Sequence, residues 1–167
     1  MSKILGSWSG MRNYLEKEML AESLIGRVRY SCTEYPGMDG LHIIEIYIDK
    51  KPVKRFSFET LNVYFIKNGF KSNKDNELWS EFWTLKDKYS VNERTEYTDE
   101  EFCRALELYR SQDIKTSISS DNPLVRMFAV LDRRIGKRTI CKLKEDIKNQ
   151  PQWLQEFYNL RIYAELA

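Results

Sequence analysis

The spacing of apolar residues changes once along this chain, and the change separates a part that favours strands from a part that favours helices. Residues 27–33 alternate apolar and polar side chains, which is the two-residue period of a half-buried strand. From residue 59 onward, apolar residues recur three or four positions apart, which is typical of a helix packed along one face. The chain is therefore expected to combine a small sheet with a larger helical part.

Three strands are predicted before residue 59. They cover residues 27–33, 41–48 and 53–58, and the middle one is rich in isoleucine. The intervening residues 35–40 and 49–52 contain the Pro, Gly and Asp that are typical of turns. Connections this short cannot carry a parallel crossover, so the strands should form an antiparallel meander.

Helices are predicted on both sides of this meander. The first covers residues 8–24, with Gly26 just beyond its end. Later helices are predicted over residues 59–68 and around 78–85, after a capping box at 98–101, from Pro123 to Ile135, and from Thr139 and Pro151 onward. The predicted fold class is α+β: an N-terminal helix, a three-stranded antiparallel meander and a mostly helical C-terminal half.

Length and composition fit one domain. The chain has 167 residues, of which 42% are hydrophobic, and this is enough to bury a core without a disulfide or a structural metal. The net charge of +2 excludes a histone-like or polyanionic protein. We predict a single domain over residues 1–167, with a helix and meander in 1–58 and a helical part in 59–167.

Signals for export, for a membrane span and for disulfide bonding are weak. No apolar run approaches the roughly 18–20 residues that a membrane helix needs, and the first ten residues do not resemble a signal peptide. Cys32, Cys103 and Cys141 are widely spaced and odd in number, so we expect them to be reduced and packed as small apolar residues. A cytoplasmic location without membrane association is predicted.

The sequence offers little that would support catalysis. His42 is the single histidine, and together with three scattered cysteines it cannot complete a common zinc site. The chain has no Walker A loop, no G-x-G-x-x-G and no H-E-x-x-H. We predict no catalytic residue, metal ligand or cofactor, and an enzyme built from His42 and scattered carboxylates ranks last among the hypotheses.

A cluster of cations occupies residues 126–148, which contain eight basic and three acidic residues. Arg133, Arg134, Lys137 and Arg138 are therefore candidate contacts for an anion, a nucleic acid or a partner. A structural interpretation explains the same cations. Basic residues at a helix end bond the free carbonyls there, and Asp132 can pair with a nearby arginine to fix the corner between two helices.

A second candidate site is aromatic. Segment 76–112 carries nine acidic and five basic residues and includes Trp79, Trp83 and Tyr89. Aromatic anchors flanked by charge are typical of specific protein interfaces. The alternative is that these rings belong to the core, since the chain has 22 aromatic residues to place.

The stretch SDNPLVRMFAVLDRRIGKRT, from Ser120 to Thr139, resembles a signature of an uncharacterised family of small bacterial cytoplasmic proteins. Residues 26–30, the hairpin at 48–51 and residues 153–161 fit the same pattern. The resemblance implies a bacterial, intracellular protein, and it brings no activity, substrate or catalytic residue.

The leading hypothesis is a non-enzymatic protein-interaction module that binds one protein partner, in the manner of immunity proteins that block a cognate toxin. It depends on the candidate interface of Trp79, Trp83 and Tyr89. The alternative is a weak nucleic-acid-binding or anion-binding protein that uses the basic helix corner around Arg133.

Overall fold

The computed structural model describes residues 7–34, 42–68 and 79–166, with side chains in the last range from Phe82 onward. The strands are β1 (Val28–Glu34), β2 (His42–Ile48) and β3 (Lys51–Phe56). The helices are α1 (Trp8–Asn13), α2 (Phe58–Lys67), α3 (Trp79–Lys88), α4 (Asp99–Ser111), α5 (Ile114–Ile118), α6 (Pro123–Leu131), α7 (Lys137–Asp146) and α8 (Gln152–Leu166). The predicted α+β fold, with its N-terminal helix and mostly helical second half, is confirmed.

The predicted antiparallel meander is also confirmed, with β2 between β1 and β3. The turn from β2 to β3 places Asp49 and Lys50 at φ angles of 49° and 70°, a conformation that normally favours Gly or Asn. At the same turn, the Arg27 Nε donates to Oδ1 of Asp49 and the Arg27 Nη2 donates to Oδ2, both at 2.9 Å. The turn predicted at residues 35–40 lies outside the described residues.

The N-terminal helix is shorter than predicted, and the expectation of a helix to residue 24 is wrong. After α1, a π-helical turn covers Tyr14–Glu18, and Leu20 then forms an isolated β-bridge with Asp132. The Ala21 N–H donates to the Leu131 carbonyl at 2.9 Å, and the Arg133 N–H donates to the Met19 carbonyl at 2.8 Å. These backbone groups pair with a distant segment, so they cannot also continue a helix.

The same bridge ends α6 at Leu131, four residues before the predicted end. Gly136 does not terminate that helix, because it is the N-cap residue of α7. A short helix, α5, was not predicted, and the side chain of Asp113 caps it by accepting a hydrogen bond from the Thr116 N–H at 2.7 Å.

The main core lies between the sheet and α4, α6 and α8, with α1 at its edge. Its aromatic rings pack in series: the centroid of Phe102 lies 4.9 Å from that of Phe56 and 5.2 Å from that of Phe128. Every residue of α6 except Arg126 is buried. The core therefore accounts for many of the aromatic residues that the sequence left unplaced.

A smaller satellite cluster, made of Leu61 and Phe65 from α2 and Phe82 from α3, is separate from this core. The ring centroids of Phe65 and Phe82 are 5.3 Å apart with the rings nearly perpendicular, an arrangement that aromatic pairs prefer. This cluster joins α2 to α3 and positions the exposed residues of both helices.

The three cysteines, all within the described residues, form no disulfide, and Cys103 alone of the three is buried. Cys32 is half-buried, and Cys141 is exposed on α7, so the expectation that all three pack as small apolar residues is wrong for Cys141. No helix in the described part of the chain is long and apolar enough to cross a membrane.

Candidate functional site

The aromatic residues predicted as an interface lie on α3 and directly after it. Trp83 is 48% exposed and Tyr89 is 38% exposed, whereas the side chain of Trp79, at the start of α3, lies outside the described part. The ring centroid of Trp83 lies 5.3 Å from that of Phe82, and that of Tyr89 lies 6.3 Å from that of Phe65. Both rings are thus held by the satellite cluster while much of their surface stays in contact with water.

Helix α2 also exposes Val63 and Ile66, but Val63 lines a separate pocket with Arg55 and Glu96. We call Trp83 and Tyr89 the aromatic surface. The start of α2 is fixed by Ser57, whose hydroxyl accepts a hydrogen bond from the Thr60 N–H at 3.1 Å. Large apolar side chains that gather at the surface mark interaction sites more often than those that occur singly.

Positive charge accompanies the exposed rings, although the surrounding segment is acidic in composition. The Lys86 ammonium lies 5.5 Å from the ring centroid of Trp83, and the Lys88 ammonium lies 5.6 Å from that of Tyr89. These are cation–π distances. The aromatic surface therefore combines apolar rings with cations.

The four cations of the predicted basic corner fall into two pairs. Arg133 is the link to the N-terminal segment, since its guanidinium donates to the Leu20 carbonyl at 3.3 Å and also to the carbonyl of Lys17. Together with the backbone bridge, these hydrogen bonds fasten the N-terminal segment to the end of α6. The Arg133 side chain is engaged within the protein.

Arg134 is engaged by Asp132, which is 1% exposed. One carboxylate oxygen accepts from the Arg134 N–H at 2.7 Å, the other accepts from its Nη2 at 2.7 Å, and the Tyr109 hydroxyl donates to the same oxygen. Burial and this hydrogen bond raise the pKa of Tyr109, and the hydrogen bonds with Asp132 raise the pKa of Arg134. The pairing foreseen in the structural interpretation is therefore present.

Arg161 of α8 also stabilises the basic corner, and sequence reasoning did not identify it. Its guanidinium is buried and donates to the carbonyls of Val130 at 3.2 Å, Asp132 at 2.7 Å and Ile135 at 2.8 Å. Burial lowers the pKa of Arg161, and Glu165 at 3.3 Å opposes that effect. No local pattern in α8 could have revealed that this arginine binds carbonyls at the end of α6.

Lys137 and Arg138 form the second pair and are exposed in the first turn of α7. Within the described ranges neither belongs to an ion pair. Gly136 at the N-cap offers no capping side chain, and the first turn contains no acidic residue. All four cations are exposed, but the guanidinium groups of Arg133 and Arg134 are hydrogen-bonded within the protein. Helix N-termini favour anions, so Lys137 and Arg138 are the pair of the basic corner better placed to contact an anion.

Lys54 is a site residue that the sequence analysis overlooked. It lies on β3, is 8% exposed, and forms one wall of a surface cleft with Glu96, Trp153 and Glu156. Its ammonium is 4.8 Å from a ring centroid of Trp153 and 5.4 Å from that of Tyr97. The sequence did contain a signal for this. Lys54 lies two residues before the buried Phe56 on the same strand, so its side chain is predicted to point to the same side.

His42 lies at the start of β2, next to the first turn of α4. Its backbone N–H donates to Asp99 at 3.1 Å, and its Nδ1 lies 4.0 Å from the same carboxylate oxygen. Burial raises the pKa of Asp99. Across the described ranges, no three His, Cys, Asp or Glu side chains gather closely enough to hold a metal ion.

Comparison with known proteins identifies one family. The model of the SF0329 protein family matches residues 7–162, which include the whole meander, the satellite cluster and the basic corner. No curated protein and no solved structure matches this chain significantly.

Proposed function

The chain belongs to the SF0329 protein family, and from that premise we propose that it acts as a non-enzymatic protein-interaction module of the bacterial cytoplasm. The observation that carries the proposal is the aromatic surface, above all Trp83, whose ring is 48% exposed although it packs on Phe82 and Phe58. A tryptophan that is positioned by its neighbours and half open to solvent loses little conformational entropy when it is covered.

The cations beside the rings favour a partner with a carboxylate-rich surface around an apolar pocket. Lys86 and Lys88 would face the carboxylates, while Trp83 and Tyr89 would enter the apolar part. A toxin bound in the manner of an immunity protein is one partner with this chemistry.

Capture of the partner from native lysate, followed by identification by mass, tests the proposal. We expect one near-stoichiometric protein that survives nuclease and that is lost when Trp83→Ala and Tyr89→Ala are combined. Tyr163→Ala is the matched control, because Tyr163 is 70% exposed on α8, away from the aromatic surface. Equal capture by all variants would contradict the proposal.

A second candidate function, binding to an anion or a nucleic acid, is favoured by the exposed pair Lys137 and Arg138 at the start of α7. Binding to labelled DNA or RNA at several salt concentrations tests it. The double variant Lys137→Ala/Arg138→Ala should weaken binding and reduce the salt slope by about 0.9 per lost phosphate contact on duplex DNA. Lys142→Ala/Lys144→Ala removes the same charge further along the helix, and an equal effect would assign binding to net charge alone.

A further inference from the structure

A cleft of about 370 Å³ lies between β3 and the first turn of α8. Lys54, Thr95 and Glu96 line it together with Trp153 and Glu156. This volume is in the range of small-molecule sites, which pair an apolar wall with a few converging polar groups. The cleft is distinct from both the aromatic surface and the basic corner.

The Lys54 amine has an environment that weakens its hold on a proton. Burial lowers the pKa of Lys54, and Glu96 only partly opposes that effect. The Glu96 carboxylate lies 3.3 Å from Nζ, and the Thr95 carbonyl accepts a second hydrogen bond from it. Burial is the feature that favours the neutral, nucleophilic amine, and Glu96 is close enough to accept the proton and return it.

Protection of the sheet edge explains part of this arrangement and leaves part unexplained. An inward-pointing charge on an edge strand, such as Lys54 on β3, discourages pairing with another sheet. Pro52, which has no N–H to donate, and the irregular register between β2 and β3 already serve that purpose. Edge protection requires neither a cleft nor a carboxylate next to the amine.

We propose that Lys54 captures a small aldehyde or ketone in this cleft as an imine, with Glu96 as the proton acceptor and donor. Glu96 takes a proton from the ammonium, and the nitrogen lone pair attacks the carbonyl carbon. As the C–N bond forms, the C=O π electrons move to oxygen; this oxygen takes the proton that Glu96 holds, and Glu96 takes a second proton from the nitrogen, which leaves a neutral carbinolamine. Glu96 then protonates that hydroxyl, water leaves, and a C=N bond remains. The step involves no oxidation or reduction, and it does not depend on the proposed interaction function.

Reductive trapping on the full-length chain tests the inference. The protein is treated with acetaldehyde and cyanoborohydride, and alkylation of each lysine is followed by peptide mass mapping across a range of pH. We expect Lys54 to react severalfold faster than the exposed Lys50 and Lys51 near neutral pH, with its rate rising at lower pH than theirs. If Lys54 reacts no faster than these neighbours, it is a buried structural cation and the inference is wrong.

Two variants separate the part played by Glu96 from the reactivity of Lys54. Because Glu96 raises the pKa of Lys54, Glu96→Gln should move the pH at which Lys54 begins to react to a lower value and slow the loss of water. Glu100→Gln removes an equivalent exposed carboxylate at the start of α4 and should leave the profile unchanged. Identical profiles in the two variants would overturn the role of Glu96.

Discussion

At the scale of single residues, the basic corner shows which contacts the charges in a sequence can predict and which they cannot. The cluster was visible in the sequence, and so was the pairing of Asp132 with an arginine. The sequence could not show that Arg133 bonds carbonyls near residue 20, or that Arg161 bonds those at the end of α6. Those partners are distant in the chain, and no local spacing encodes them. Lys54 did have a local signal, because its even position on β3 predicts an inward-pointing side chain. Its charge hid that signal, since lysine is normally exposed.

Asp132→Asn tests whether the corner is held by this carboxylate. The change keeps the shape but removes the charge that accepts from Tyr109 and Arg134. Arg134 is half exposed and can be rehydrated, so we expect a loss of about 2 kcal/mol in the free energy of unfolding, measured by urea denaturation. The exposed Asp121→Asn should change stability by less than about 0.5 kcal/mol. Similar losses in both would contradict the assignment.

Quenching of tryptophan fluorescence tests the exposure of Trp83. Iodide should quench part of the emission, and that part should be absent from Trp83→Phe. Because the Lys86 ammonium lies 5.5 Å from this ring, it attracts iodide and repels caesium, so caesium should quench the same emission less. An unchanged iodide-accessible fraction in the variant would show that Trp83 is shielded.

At the scale of elements, prediction succeeded where the signals were local. Helix α4 begins after Thr98, whose hydroxyl accepts from the Glu101 N–H at 3.2 Å while the Glu101 carboxylate accepts from the Thr98 N–H at 3.0 Å. The predicted apolar stripe on this helix is buried as well. The N-terminal helix was predicted too long because the bridge between Leu20 and Asp132 competes with helical hydrogen bonds. That competition depends on a contact across the fold.

The first turn of α4 contains two buried carboxylates with opposite pKa shifts. Burial raises the pKa of Asp99, although the His42 N–H opposes it. Burial also acts on Glu101, but hydrogen bonds from Arg94 and from the Thr98 N–H outweigh it and lower the pKa of Glu101. One carboxylate is therefore protonated more readily in the folded state and the other less readily.

We predict opposite pH effects for Asp99→Asn and Glu101→Gln. As the pH falls from neutral toward the ordinary Asp value of 3.8, the folded state gains protons at Asp99, so the wild type should gain stability relative to Asp99→Asn. As the pH falls through the ordinary Glu value of 4.5, the wild type should lose stability relative to Glu101→Gln. Urea denaturation at several pH values measures both differences, and slopes of the same sign would contradict the prediction.

At the scale of the whole molecule, the apolar interior is unevenly divided. The main core joins the sheet to α1, α4, α6 and α8, whereas the satellite cluster, among the described side chains, contains three buried residues between α2 and α3. The sequence predicted the two helices of the satellite cluster, but it could not predict that they pack mainly on each other. Local stability follows the number of buried apolar contacts, so α2 and α3, the second of which carries Trp83, should open before the core does.

Native-state hydrogen exchange should show this difference. We expect amides of α2 to exchange at least about tenfold faster than those of α6, because among the described residues opening α2 exposes the satellite cluster and not the main core. Leu61→Ala should speed exchange in α2 with little effect on α6, whereas Leu124→Ala should destabilise the whole fold by about 2–5 kcal/mol. Equal protection of the two helices would show that the satellite cluster is part of one cooperative unit.

The bridge that joins residue 20 to the end of α6 can form only after residues 131–133 have left the ribosome. The Leu20 carbonyl accepts its hydrogen bond from a side chain 113 positions later, and at 5–20 residues per second this separation corresponds to roughly 6–23 s of synthesis. During that interval Leu15, Met19 and Leu24 can pack on the strands that follow them, but not on α4, α6 or α8. Until residue 133 emerges, the N-terminal segment therefore exposes part of the apolar surface that the native fold buries.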